Sequence, residues 1–571
     1  MAFQWNIEQI SCVLKKIFRH ALQKPDTLLT LDMEHYSELE VTLQAFKNIL
    51  SQKEFLPLKV GIVIQAYLPE ALTVTQDLVS WAIKRVNNGG NKIKLRVVKG
   101  ANLATEKVDS SQNFWQCPIY SSKVETDANF KLVLDYCLQK DSFKGIEIGI
   151  ATHNIFDLSW VKALLERRNI TTGYVFEMLQ GMNSSLAKVI LAEKHPLLMY
   201  TPYCKDHDFN AAIAYLVRRL DEITTDHHFL RYSYQLKVGS EDWKLLQKDF
   251  VNSITYIPQL NHLPMRKQNR VSEICAYPQV AKTWQLLVGF TPDPITDFTR
   301  PTSRIWTKSI YDYAEKLVLT PSIDILPLVG GYPIPDGHQH DILDSSSREK
   351  IGTWTECSPE SLSKALLYCE QDSQNAPKHF AELQNLMTAV ADQLCRKRAH
   401  LIGVMIAETG KTLLEADQEI SEAIDFLNYY PVSLSKLKYQ SHTSFNPKGI
   451  GIVISPWNFP LAIPCGGIVA ALCGGNQVLF KPSKYAVWIG HELARCFWEA
   501  GVSSKTLQFI PCQPRYLMDI ILPDSRVKFC IFTGSTATAK TIQSHNPNLL
   551  LSAETGGKNA TIVTWNADHE L

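Results

Sequence analysis

Tyr215, Arg218, Arg219 and Glu222 stand at i, i+3, i+4 and i+7 within DFNAAIAYLVRRLDE, so a helix there carries all four on one face. Two neighbouring guanidiniums suit a small carboxylate, because each planar fork can bind both oxygens at once and stays charged throughout the physiological range. The same spacing also describes an ordinary solvated face with an Arg218 to Glu222 ion pair, which contributes little when exposed. Spacing alone leaves both readings open. A second set of chemically able residues closes a series of apolar runs: Asp32, Gln65, Arg96, Lys99, His153, Glu177 and Tyr200. Polar groups gathered at the carboxyl ends of parallel strands are where α/β barrels build active sites. Taken singly, His153 reads equally well as a hydrogen-bonded strand-end residue, and Asp32 as a helix N-cap.

The elements that must position these groups are legible as alternating patterns. TLLTLDM (27–33), VGIVIQAY (60–67), IKLRVVKG (93–100), IEIGIATH (146–153), GYVFEML (173–179) and LLMYTPY (197–203) read as strands. Amphipathic stretches such as SELEVTLQAFKNIL and VETDANFKLVLDYCLQK lie between them, which predicts parallel βα units from residue 27 to about 225. Six strands fall short of the eight that close a (β/α) barrel, and a doubly wound open sheet is the alternative that periodicity leaves standing. Met1 to His20 carries its apolar residues at helical spacing and reads as an amphipathic helix, not a secretory signal.

Residues 230 to 300 mix Gly, Pro, Asn and Asp irregularly and read as a connector. LPLVGGYPIP and HDILD then suggest a hairpin, and long helical patterns follow in ECSPESLSKALLYCEQ and over residues 385–430. From Lys448 to Val563 strands alternate with helices again, as in a dinucleotide-type α/β domain. Gly449 to Phe480 is uncharged and long enough to cross a bilayer, but Pro456, Pro460 and Pro464 oppose a spanning helix. A buried strand, loop, helix and strand fits that stretch better.

A chain of 571 residues suggests three or four folding units, and 45% apolar with 20% charged residues is ordinary globular composition. Lys+Arg 58 against Asp+Glu 57 leaves a net charge of +1, so no global field gathers nucleic acid, and no basic helix-turn-helix or ribbon motif is visible. The 13 cysteines show neither CxxC pairs nor metal-ligand spacing, so no metal is expected, and reduced thiols in a cytoplasmic protein are the simplest reading.

VGIVIQAYLPEA, KLRVVKGANLATEKV, IGIATHN, YVFEMLQGM, MYTPY and AYLVRRLDE, one to each unit, resemble the proline dehydrogenase domain of the proline utilization A family over roughly residues 25 to 260. The resemblance implies that Gln65, Arg96, Lys99, Gly100, Thr152, His153 and Asn154 contact FAD, with Arg96 near the flavin position that accepts hydride. It implies further that Asp32, Leu179, Tyr200, Tyr215, Arg218, Arg219 and Glu222 line a proline site, the two arginines clamping the carboxylate. The family also has a lysine, paired to a site carboxylate, on a barrel strand that has no counterpart among the six.

ISPWNFP, VLFKPSK, FTGSTATAK and SAETGGKNA resemble the aldehyde dehydrogenase superfamily, in the branch that oxidises pyrroline-5-carboxylate as glutamate semialdehyde, from about residue 305 onward. By that resemblance Asn458 is the side-chain oxyanion donor and Glu554 the general base. Lys481 and Ser483 would meet the adenosine ribose of NAD, and Gly534 and Ser535 its pyrophosphate. Position 484 is Lys where the family commonly has a glutamate holding the ribose hydroxyls, which opens the choice between NAD and NADP. No cysteine follows Glu554, and Cys465 and Cys473 fall in an apolar helical run and read as small hydrophobes.

The expectation is therefore an α/β chain shortened at both ends relative to its family. An incomplete (β/α)8 barrel occupies residues 1–260, a connector 261–304, and the NAD-binding part of an aldehyde dehydrogenase fold 305–571. The resemblance implies FAD and NAD as cofactors, L-proline and glutamate semialdehyde as substrates, and a quinone acceptor that opens the way to peripheral membrane contact. It also implies an oligomer, as is usual in the family, and loss of the second activity with the missing cysteine. A non-catalytic remnant, a chain completed by a partner polypeptide, and a barrel retaining only the flavin half-reaction remain as alternatives. An open barrel leaves strand edges and apolar surface uncovered, which favours instability.

Overall fold

The computed structural model describes residues 2–24, 26–224, 228–233, 236–273, 290–320, 323–372, 380–438 and 445–567. The chain divides into two units, Met1–Lys267 and Gln268–Leu571.

The apolar runs of the first unit become β1 (Leu29–Leu31), β2 (Val60–Gln65), β3 (Ile93–Val98), β4 (Ile146–Ala151), β5 (Tyr174–Leu179) and β6 (Leu197–Tyr200). All are parallel and lie side by side in chain order. Helices make the crossovers: α1 (Ala2–Leu22) precedes the sheet, α2 (Leu39–Leu50) follows β1, α3 (Ala71–Asn87) follows β2, α4 (Leu103–Gln112) and α5 (Lys123–Cys137) both follow β3, α6 (Ile155–Arg167) follows β4, and α7 (Ser184–Ala192) follows β5. Sequential order with right-handed crossovers puts the helices on one side and curls the sheet. The doubly wound alternative needs a reversal of strand order, and this sheet has none.

Ile62, Ile64, Leu95, Val97, Ile148, Ile150 and Phe176 pack with Phe46, Phe130 and Leu134 of the helices in one core. Local signals fix the helix ends. Ser122 and Glu125 form a reciprocal capping box at the start of α5, with Ser122 N–H donating to Glu125 Oε2 at 2.9 Å. The buried Arg85 donates to Leu50 O at 2.6 Å and Phe55 O at 2.9 Å, satisfying the last carbonyl of α2 and one in the turn after it. Among the described residues β1 and β6 each pair on one side only. After β6, α8 (Phe209–Thr224) exposes Phe209, Ile213, Leu216 and Leu220 along one stripe.

In the second unit β8 (Leu328–Val329) and β9 (Tyr332–Pro333) form a hairpin, so LPLVGGYPIP pairs with itself. HDILD pairs elsewhere: β10 (Gln339–Leu343) runs antiparallel to β11 (Lys350–Thr355), which also takes β7 (Ile323–Ile325). The helical pattern over 385–430 resolves into Phe380–Arg396, Arg398–Thr409 and Leu413–Lys438, broken at Lys397 and before Gly410.

The main sheet adds β12 (Ile450–Ile454), β13 (Gln477–Lys481), β14 (Leu507–Phe509), β15 (Val527–Thr533) and β16 (Leu550–Glu554), in the order β16-β15-β12-β13-β14-β8-β9. Gly449 to Phe480 is the buried strand β12, a loop, the buried helix Ala462–Cys473 and strand β13. Among the described residues no helix is long and apolar enough to cross a membrane.

Candidate functional site

The carboxyl ends of the first sheet open into a cavity of about 1110 Å³. Asp32 reaches it from beyond β1, Gln65 from the end of β2, Arg96, Lys99 and Gly100 from β3 and the turn after it. Thr152, His153 and Asn154 line it after β4, Leu179 ends β5, Tyr200 ends β6, and Tyr215 enters from α8. The curl of the sheet thus gathers these expected residues around one space. The side chains of Arg218, Arg219 and Glu222 lie outside the described residues.

At the floor, Lys94 Nζ and Glu177 Oε1 pair at 2.6 Å, and Arg96 Nε lies 3.2 Å from Glu177 Oε2. Lys94 and Arg96 are two apart on β3 and so share a face. Gly149 on β4 makes room between them, since a Cβ there would stand 2.1 Å from Glu177 Oε1. The Arg96 guanidinium lies 4.3 Å from the Tyr200 ring centre, and its Nη1 is 3.9 Å from Asp32 Oδ1. Burial, with the Glu177 carboxylate beside it, raises the Tyr200 phenol and keeps it neutral.

Lys99 turns inward. Its ammonium contacts Asp127 Oδ1 at 2.5 Å and Asp157 Oδ2 at 2.8 Å, and Asp157 also pairs with Lys131 at 2.9 Å. Burial opposes the charge on Lys99, but the two carboxylates outweigh it and hold the ammonium above the ordinary lysine value. Gly100 follows with φ +131°, where a Cβ would sit 2.4 Å from the Tyr67 ring, so the backbone turns away from the strand only because the side chain is missing.

His153 Nε2 accepts the Leu179 N–H at 3.2 Å, which leaves the proton on Nδ1. That Nδ1 is buried and without a hydrogen-bond partner among the described residues. Burial, and then neighbouring His228, push the imidazole down to about 4, so His153 presents a neutral N–H donor. Asn154 caps α6 by accepting the Phe156 N–H at 2.9 Å. A large cavity with an unsatisfied buried donor, a guanidinium on its wall and mixed apolar lining fits a flavin nucleotide.

Sequence reasoning missed Lys94, the pairing role of Glu177, and His228, whose Nδ1 accepts the Leu230 N–H at 3.3 Å on the cavity wall. Lys94 carried a signal, standing two residues before Arg96 on one strand. His228 carried none.

In the second unit the strand ends are level. Ile454 of β12 lies opposite Lys481 of β13 on one side and Phe532 of β15 on the other, and Thr533 lies opposite Glu554. Asn458, Lys481 with Ser483, Gly534 with Ser535, and Glu554 therefore all follow or close strands on one edge of the sheet. The chain runs outward from β12 through β13 and β14, then returns to β15, so this edge holds the switch point at which open α/β sheets take ligands.

The Asn458 loop is anchored. Glu419 Oε1 accepts the Leu461 and Ala462 N–H groups at 2.7 and 3.0 Å, and Lys411 pairs with Glu419 at 2.8 Å while lying 4.3 Å from the Phe459 ring centre. Gly534 N–H donates to Glu554 O at 3.0 Å, and Ser535 caps the helix Thr536–His545 through the Thr538 N–H at 3.1 Å. Asn458 and Glu554 are exposed at this edge. Burial lowers the Lys481 ammonium, Cys512 opposing the shift and Lys484 adding to it, and Lys481 has no carboxylate partner among the described residues. A cation without a counter-ion at the switch point fits an anionic dinucleotide. Cys465 is buried and its thiol is raised by burial, as befits a core residue rather than a nucleophile.

The proline dehydrogenase family profile matches residues 4–232, and that of the aldehyde dehydrogenase family matches residues 335–571. The bifunctional protein PutA of Escherichia coli is 26% identical over 577 residues, covering 95% of this chain and 40% of that protein. A 1-pyrroline-5-carboxylate dehydrogenase of Bacillus cytotoxicus is 29% identical over 306 residues, covering 50% of this chain and 59% of that protein. The crystal structure of proline utilization A from Bdellovibrio bacteriovorus, inactivated by N-propargylglycine, superposes with a TM-score of 0.84 at 26% identity, covering 98% of this chain and 56% of that one. The chain thus spans well under two thirds of the length of these relatives.

Proposed function

We propose, from the premise that this chain is PutA-like and joins a proline dehydrogenase domain to an aldehyde dehydrogenase family domain, that its first unit oxidises L-proline to pyrroline-5-carboxylate. The convergence of the strand-end residues on one cavity carries this reading. FAD, held by Gln65, Arg96, Lys99, Gly100, Thr152, His153 and Asn154, would supply the hydride acceptor. The fixed charge of Arg96, braced between Glu177 and the Tyr200 ring, favours negative charge gathering beside it. Neutral His153 donates from Nδ1 without bringing a second charge into the cavity. Asp32, Leu179, Tyr200 and Tyr215 shape the substrate side, and Arg218, Arg219 and Glu222 are assigned the proline zwitterion from their spacing on α8. A quinone is the proposed electron acceptor, with the peripheral membrane contact and oligomeric assembly that this chemistry and family imply.

The second unit, on the same premise, binds a nicotinamide dinucleotide for oxidation of glutamate semialdehyde to glutamate, Asn458 serving as oxyanion donor and Glu554 as base. The thiolate step is assigned to no residue. Two observations favour a second reading for the first unit: the apolar stripe of α8, and the one-sided pairing of β1 and β6 among the described residues, suit a chain that works when another polypeptide covers them. Dye-coupled oxidation of L-proline by the purified, FAD-supplemented chain tests the proposal. Saturable turnover supports it, and absence of turnover with flavin bound favours the second reading.

A further inference from the structure

Lys484 stands in the turn that follows β13, and the turn is fixed. Tyr485 N–H donates to Ser483 Oγ at 3.3 Å and Ala486 N–H to Ser483 O at 3.1 Å. The Lys484 ammonium is held 4.8 Å from the Tyr485 ring centre, at the surface. Lys481, at the end of the same strand, is close enough for the Lys484 charge to depress its own protonation. Neither ammonium has a carboxylate partner among the described residues. Two cations therefore share one strand end at the switch point of the sheet, with no acid paired to either among the described residues.

The physical consequence follows from what binds a ribose at such an edge. A carboxylate there accepts the 2′-hydroxyl of an unphosphorylated dinucleotide and repels a 2′-phosphate, while a cation does the reverse. A 2′-phosphomonoester carries about −1.5 to −2 charge at neutral pH and offers three acceptor oxygens. Lysine serves such a group as a compact point charge. We infer that the second unit binds the 2′-phosphorylated nicotinamide dinucleotide in preference to the unphosphorylated one, with Lys484 as the discriminating residue and Lys481 as its neighbour on the ribose. The inference rests on reading the β12 to β15 edge as a nucleotide site.

Calorimetric titration of the full chain with NADP⁺ and with NAD⁺ tests it. NADP⁺ is expected to bind about tenfold tighter or more, as a charge-assisted contact provides. The advantage shrinks as salt is raised, and again below about pH 6 as the phosphate dianion takes up a proton. K484E, at an exposed position, is expected to reverse the order, and K484M to bring the two affinities together. Equal affinities in the parent chain, or tighter NAD⁺, overturn the inference while leaving the nucleotide site standing. Failure of both nucleotides to bind overturns the site reading and the inference with it.

Discussion

Lys94 Nζ and Glu177 Oε1 are paired at 2.6 Å with side chains 7% and 0% exposed, joining β3 to β5 across β4. The pair holds the floor on which Arg96 rests. Two buried charges tolerate each other but not separation: removing one leaves the other desolvated, at a cost of about 3–5 kcal/mol. K94M and E177Q should each lower stability by that order in urea denaturation, and the double variant should recover part of the loss. Additive losses would mean that the two side chains do not act as a pair.

Gly149 is the spacer of that arrangement. In G149A the added methyl meets Glu177 Oε1 at 2.1 Å in the parent geometry, so the carboxylate must shift. Thermal melts should show destabilisation, and FAD titration by fluorescence should show affinity reduced about tenfold or more as Arg96 loses its brace. Wild-type affinity in a folded G149A chain would detach Glu177 from the proposed flavin site.

In the second unit Glu408 Oε1 and Oε2 accept the Trp488 and Ile489 N–H groups at 2.8 Å each, at the start of the helix Val487–Glu499. Burial outweighs these bonds and raises the carboxyl from 4.5 to about 7. The folded chain therefore holds a proton that the unfolded chain releases between about pH 4.5 and 7. This contribution favours the fold below 4.5 and is lost as pH rises through 7, by up to about 3 kcal/mol. E408Q should remove that slope, so the stability difference between E408Q and the parent should change with pH across this window. A difference that stays flat from pH 4.5 to 7.5 would place the ordinary carboxyl value at Glu408.

The Arg96 guanidinium near the Tyr200 ring predicts a coupled pair. R96M should weaken FAD binding about tenfold or more, whereas R96K, keeping charge but not the planar stack, should fall between. Y200A should lose less in the R96M background than in the parent, since the two share one contact. Independent effects in the double-mutant cycle would count against the shared contact.

All six strands of the first sheet were legible because each is an apolar run bounded by turn residues, and their polar tips marked the cavity rim. What touches what was not legible. Lys99 reads from sequence as one of the polar strand-end groups, but Asp127 on α5 and Asp157 on α6 claim its ammonium. The Lys94 to Glu177 pair needs the sheet's register and the gap at Gly149, neither of which leaves a local pattern. In the second unit the strand, loop, helix and strand of Gly449 to Phe480 followed from prolines set in an uncharged run. The separate pairings of LPLVGGYPIP and HDILD did not, because partner choice among short strands is decided by tertiary packing.

The most direct test of the flavin site is an anaerobic titration of the FAD-loaded chain with L-proline, followed by flavin absorbance. Saturable bleaching in the parent, weakened in R96M, is the expected result. An FAD-loaded chain whose flavin spectrum stays unchanged at any L-proline concentration would contradict the account.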